Sequence, residues 1–125
     1  MKLSKYSVKK FNEGIELWRV DKDFADPMFN YLVYGFSPGS FFTAVLANDF
    51  TSAIARSHPG NTITALKALT GWINNCMPRM AWGSYENVKA WQDKDEEDRR
   101  HILVMHNLIF APKQETFLEI QGEPV

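Results

Sequence analysis

Ser37-Pro38-Gly39-Ser40-Phe41-Phe42-Thr43-Ala44-Val45-Leu46-Ala47-Asn48-Asp49 is the stretch whose reading decides the fold. A Ser-Pro pair marks a helix start: the Ser37 hydroxyl can cap open amides, and Pro38 suits the first helical position. From Pro38 to about Ser57, the residues Phe42, Val45, Leu46, Ala53 and Ile54 recur at helical spacing, and His58-Pro59-Gly60 ends the run. On another face of that helix, Asn48, Ser52 and Arg56 are spaced four residues apart.

The same signals recur on both sides. Upstream, Asp26-Pro27 predicts a helix start, Met28, Phe29, Leu32 and Val33 form a short apolar face, and Gly35 is a natural stop. Downstream, Asn61 is a candidate cap for a third helix with Ile63, Leu66, Leu69, Ile73 and Cys76 as its buried stripe. Ala65 and Ala68 permit close packing, and Pro78 follows the helix end. Gly71 inside this helix costs about 1 kcal/mol relative to Ala, which suggests close approach by another element. Trp82-Gly83-Ser84 opens a fourth segment, where Ser84 can accept the amide of Asn87, Glu86 suits the helix dipole, and Val88 and Trp91 share a face.

Asp93-Lys94-Asp95-Glu96-Glu97-Asp98-Arg99-Arg100 is a dense charge run whose acids mostly precede its bases. It reads as the opening of a final helix through Phe110, with a solvated linker as the alternative. His101–Phe110 is ambiguous between helix and strand; Ile102, Met105 and Ile109 with Pro112 beyond them favour helix. Ile15–Val20 alternates like a short strand and could pair with Thr116–Ile120. Residues 1–13 are basic and polar, and 122–125 look frayed. The expectation is one mainly α domain over 1–125, with four or five short helices, a helical core at 28–92 and a minor terminal β element.

Composition narrows function by exclusion. Hydrophobic residues make up 45% and aromatics 14%, enough for a core with some aromatics left for an interface. A net charge of −1 gives no basic footprint for a phosphate backbone, so nucleic acid is an unfavoured partner. Cys76 is the single cysteine, which fits a reducing cytoplasm, and it reads as a small buried hydrophobe. Neither a signal-peptide apolar region nor a stretch of ~20 apolar residues is present, so a cytoplasmic protein without a membrane partner is expected.

Catalytic patterns are absent. His101 and His106 would lie roughly 140° apart on a helix and on opposite faces of a strand, so they do not chelate together. There is no Gly-x-Ser-x-Gly elbow, P-loop or Gly-x-Gly-x-x-Gly. No catalytic residue, metal ligand or cofactor is assigned. The candidate binding residues are Ser37, Gly39, Asn48, Asp49, Ser52, Arg56, Trp82 and Ser84. Amides near Ser37 and Gly39 could hold a phosphate or carboxylate, although an ordinary helix cap is the favoured reading. Asn48 and Asp49 sit mid-helix, where both compete with the backbone. Asp49 therefore either makes a structural hydrogen bond, to Trp82 Nε1, Ser84 or Arg56, or joins Asn48, Ser52 and Arg56 in a ligand or partner surface. Trp72, Trp82 and Trp91 are expected in the core or in helix packing, with any exposed ring available as an interface anchor.

Pro38-Gly39-Ser40-Phe41, Ala44-Val45-Leu46, Asn48-Asp49, Ala53, Asn61, Pro78 and Trp82-Gly83-Ser84 through Val88 and Trp91 carry a resemblance. The chain resembles small bacteriophage and prophage proteins of unassigned function. These share a Pro-Gly-x-Phe-x-x-Ala-Val-Leu-x-Asn-Asp segment followed by Trp-Gly-Ser-x-x-x-Val-x-x-Trp, a likeness that covers roughly residues 28–92. It implies a phage accessory protein in the host cytoplasm, acting without catalysis by binding and neutralising a host protein such as a defence component. Two alternatives remain open: an oligomeric protein that binds or sequesters a nucleotide-like ligand, and a small hydrolase built on Asp49, His101 or His106.

Overall fold

The computed structural model describes residues 2–121. In chain order the helices are α1 (Lys5–Leu17), α2 (Lys22–Tyr34), α3 (Ser40–Leu46), α4 (Phe50–Arg56), α5 (Ile63–Cys76), α6 (Tyr85–Asp93), α7 (Glu96–Met105) and α8 (Pro112–Gln121). A 3-10 turn at Arg79–Ala81 links α5 to α6. The protein is mainly helical, as the sequence indicates.

Most helices begin on a side-chain oxygen. Ser4, Asp21, Asp49, Thr62, Ser84 and Asp95 each accept a first-turn amide, satisfying donors that the helix itself leaves unpaired. Three helices end in the same way. Arg19, Asn48 and Asn107 adopt left-handed backbone (φ 57, 62 and 64) just after α1, α3 and α7. After α3, the Asn48 amide donates to Val45 O (3.1 Å) and the Asp49 amide to Ala44 O (2.9 Å). The same paired closure follows α1 and α7, and brings Val20 near Ile15 and Leu108 near Leu103, all four buried.

One apolar cluster draws on Phe11 of α1, Met28 and Leu32 of α2, Trp72 of α5, Trp91 of α6 and Leu103 of α7. Phe11 packs edge-on against Trp72 at 5.7 Å between ring centroids. Tyr31 donates to Ala81 O at 2.7 Å, fixing the 3-10 turn to α2, and burial pushes its pKa up.

Several expectations are corrected. Among the described residues there are eight helices rather than four or five, and no strand. Ile15-Glu16-Leu17 finishes α1 because Phe11 and Ile15 bury one helical face and the turn at Arg19 closes the helix. Thr116–Ile120 lies inside α8, which Pro112 opens and the buried Glu115 anchors; Phe117 and Ile120 face outward. The single helix expected over 38–57 is two, split where Asn48 turns left-handed and Asp49 caps the next helix. Ser37-Pro38 precedes α3, whose first residue is Ser40. Asp26-Pro27 lies within α2, which Asp21 caps one turn earlier, and Thr62 caps α5 rather than Asn61. The charge run ends α6 and opens α7, with Asp95 as cap and Glu96, Glu97 and Asp98 in the first turn. The fraying expected at 122–125 lies outside the described residues.

Candidate functional site

The break between α3 and α4 builds the site. Because Asn48 reverses the chain, Asp49 is released from the helix interior expected for it and becomes the cap of α4. Its Oδ1 accepts the Ser52 amide (3.2 Å), and its Oδ2 accepts the Tyr85 hydroxyl (2.6 Å). The Tyr85 hydrogen bond holds the Asp49 carboxyl below its ordinary range, with help from Ser52 and then Arg56. The same bond pushes the Tyr85 phenol up. Near neutral pH the pair is therefore a carboxylate and a phenol, each satisfying the other.

The structural link at Asp49 thus exists, but to Tyr85, not to Trp82 Nε1, Ser84 or Arg56. Tyr85 was not singled out from the sequence, and its position directly after the Ser84 cap is the only local hint. Ser84 is occupied as the cap of α6, accepting the Asn87 amide at 3.0 Å. The Gly83 amide donates to Leu46 O (2.7 Å), which ties the start of α6 to the end of α3.

Beside this pair, α3 and α4 face α5 across an open groove with two depressions. The first, about 100 Å³, is walled by Phe41, Phe50, Ala53, Ile54 and Leu66. The second, about 390 Å³, is walled by Lys67, Gly71, Ile73, Asn74 and Trp82. Val45, Asn48 and Thr70 line both, so the two are continuous. Phe50 is 77% exposed and Ile54 45%, while Ile63, one turn before Leu66, is 75% exposed. The Arg79 guanidinium lies over the Trp82 ring, 4.4 Å from its centroid.

The eight candidate residues do not converge. Asn48, Asp49, Ser52, Arg56 and Trp82 lie at or beside the groove. Ser37 and Gly39 sit at the far end of α3, about 10 Å away for seven residues of helix. There Ser37 Oγ accepts the Gly39 amide (3.4 Å), a local turn. Gly39 stands at the N-cap of α3, where no side-chain oxygen caps the helix.

The histidines are dispersed. His58 Nδ1 accepts the Gly60 amide (2.9 Å), His101 lies on α7 beside a depression of about 530 Å³ next to α8, and His106 follows α7. Among the described residues, no three His, Cys, Asp or Glu side chains cluster as metal ligands would. Cys76 is half-buried, and burial pushes its thiol up.

A second polar cluster escaped the sequence reading. Glu115 of α8 is buried and accepts from Ser4 (2.9 Å), from Ser7, and from Arg100 Nη2 (3.0 Å). Ser7 Oγ also accepts the Phe110 amide at 3.1 Å. These partners lie as far as 111 positions apart in sequence, so no local signal announces them.

No protein-family model, curated protein or solved structure matches the chain. No helix among the described residues is long and apolar enough to cross a membrane.

Proposed function

We propose that this chain is a non-enzymatic, cytoplasmic protein of bacteriophage origin that works by binding a host protein and neutralising it, with a bacterial defence component as the target class. The observation supporting this reading is the groove between α3–α4 and α5, where Phe50 and Ile54 present apolar surface to solvent. Exposed aromatic and aliphatic anchors around a concavity are the features that supply most interface energy. Asp49 and Tyr85 add to this surface by stiffening it. They join α4 to α6 and direct their polar atoms at each other.

Expressing the chain in defence-bearing bacteria under phage challenge tests the reading. Plaque formation should rise with the wild-type chain and return to the unprotected level with Phe50→Asp. An unchanged plaque count with well-expressed wild-type protein would count against it.

The second depression carries the alternative, a nucleotide-like ligand held between Lys67, Asn74 and Trp82 in about 390 Å³. A rise in melting temperature with nucleotides, lost in Lys67→Ala, would favour that reading and an oligomeric sequestering role.

A further inference from the structure

We propose that the groove seats an acidic amphipathic segment of the partner protein, its apolar side chains against Phe50, Ile54 and Leu66 and its carboxylates facing Arg56, Lys67 and Arg79. This rests on the protein-binding reading above and adds the chemistry of what is bound.

The argument is one of charge. The chain as a whole carries −1, whereas the groove lining pairs one cation, Lys67, with one carboxylate, Asp49, and two further cations, Arg56 and Arg79, lie beside it. Lys67 lines the second depression, Arg79 lies on the Trp82 ring of the same wall, and Arg56 lies close enough to Asp49 to act on its charge. None of the three has a carboxylate within ion-pair distance among the described residues. Among the described residues Asp49 is the one acid lining the groove; it stays a carboxylate whose oxygens accept from Ser52 and Tyr85. Glu86, in the first turn of α6, is exposed and lies outside the lining.

Shape points to a segment of chain. The groove wall from Leu66 to Asn74 is about 12 Å of helix, the length that two turns of a partner helix would cover. Its apolar depression, about 100 Å³, has room for one or two side chains. An apolar floor with cationic edges matches a helix carrying Leu or Phe on one face and Glu or Asp beside it. Complementary charge of this kind governs encounter rate and selectivity.

The test uses two synthetic peptides of about 18 residues, five turns of helix, with Leu and Phe at i, i+3, i+4 and i+7. One carries Glu and the other Lys at its polar positions, and an oligonucleotide of matching charge is the control. Binding to the full chain is followed by fluorescence anisotropy and by amide chemical shifts. The Glu peptide should shift amides of α4 and α5 and bind at least about tenfold tighter than the Lys peptide, with affinity falling as salt rises. Phe50→Asp should weaken it about tenfold, and Lys67→Glu should invert the preference between peptides. Both residues are exposed, so the variants should keep the wild-type circular dichroism spectrum and melting point.

Equal binding of the two peptides, shifts confined to another face, or equal binding of the oligonucleotide would overturn the proposal. A dimer in light scattering that blocks the peptide would overturn it in favour of self-association. Cross-linked recovery from host cells separates the two levels of the claim. A partner retained by Phe50→Asp/Lys67→Glu sinks the groove and leaves the protein-binding reading standing, whereas no partner on the wild-type chain sinks both.

Discussion

The end of α2 shows how a buried charge is accommodated by carbonyls alone. Gly35 adopts φ 70, and its amide and that of Phe36 turn back to Tyr31 O and Asn30 O. Tyr31 O and Leu32 O also receive the Trp91 indole N–H (3.2 Å each), and Val33 O receives Arg99 Nε (3.1 Å). Arg99 is 4% exposed; through Nη1 it also donates to Lys94 O and Gln92 O at the end of α6. Two helix ends, each bearing partial negative charge, thus surround one guanidinium. Arg99→Met keeps the apolar stem but strands those carbonyls, and should cost roughly 2–3 kcal/mol in a urea titration. Arg99→Lys should recover only part of the loss, because an ammonium lacks the planar fork that spans them. At Asp49 the consequence is pH dependence. Its lowered folded pKa contributes stability that is present above an unfolded value of about 3.9 and lost as pH falls through the lower folded value. The sign at Tyr85 is opposite: its contribution is present below an unfolded value of about 10 and lost as pH rises through the higher folded one. In Tyr85→Phe, a carbon-13 titration should find the Asp49 midpoint higher than in the wild type yet still below ordinary, since Ser52 continues to donate. An unmoved midpoint would contradict the assignment.

Among the elements, α5 offers the clearest test of a glycine. A Cβ on Gly71 would meet the Trp18 ring at 3.8 Å, ordinary contact distance, so the approach foreseen from the sequence is real but leaves room for a methyl group. Gly71→Ala should therefore stabilise by roughly 0.5–1 kcal/mol through helix propensity, visible as a higher melting temperature. A lower one would mean that Trp18 cannot adjust. The legibility of the other elements follows the range of the forces involved. The Gly35 stop, the Ser84 cap and the buried Leu69 and Ile73 of α5 were readable because a cap or a stripe is set within a turn or two. The break at Asn48 was hidden by apolar spacing that continues across it, although Asn tolerates left-handed backbone and Asp next to it is a natural cap. α8 was misread because Phe117 and Ile120 look like strand residues, while the contacts that hold the helix come from Ser4 and Ser7. In the candidate site, Asp49 and Ser52 were visible as neighbours. Tyr85, 36 positions away, was not.

At the scale of the molecule, the two concentrations of polar chemistry have different tasks. The groove side leaves cations and aromatic rings facing water, while the Glu115 cluster buries its polar atoms and joins α1, α7 and α8. That buried knot makes the fold almost circular. Ser4, in front of the first helix, and Glu115, within the last, lie one hydrogen bond apart, so the order in which the chain visits its helices should matter little to the finished packing. A permuted gene that begins at Asn61, bridges Gln121 to Lys2 with a Gly/Ser linker and ends at Gly60 should give the same helical circular dichroism and melt within a few degrees of the original. Loss of cooperative melting would show that the α4–α5 connection is needed for folding as well as for continuity. A permutant that folds would carry its new ends between α4 and α5, the helices that wall the groove, where a fused reporter could sense whatever binds there.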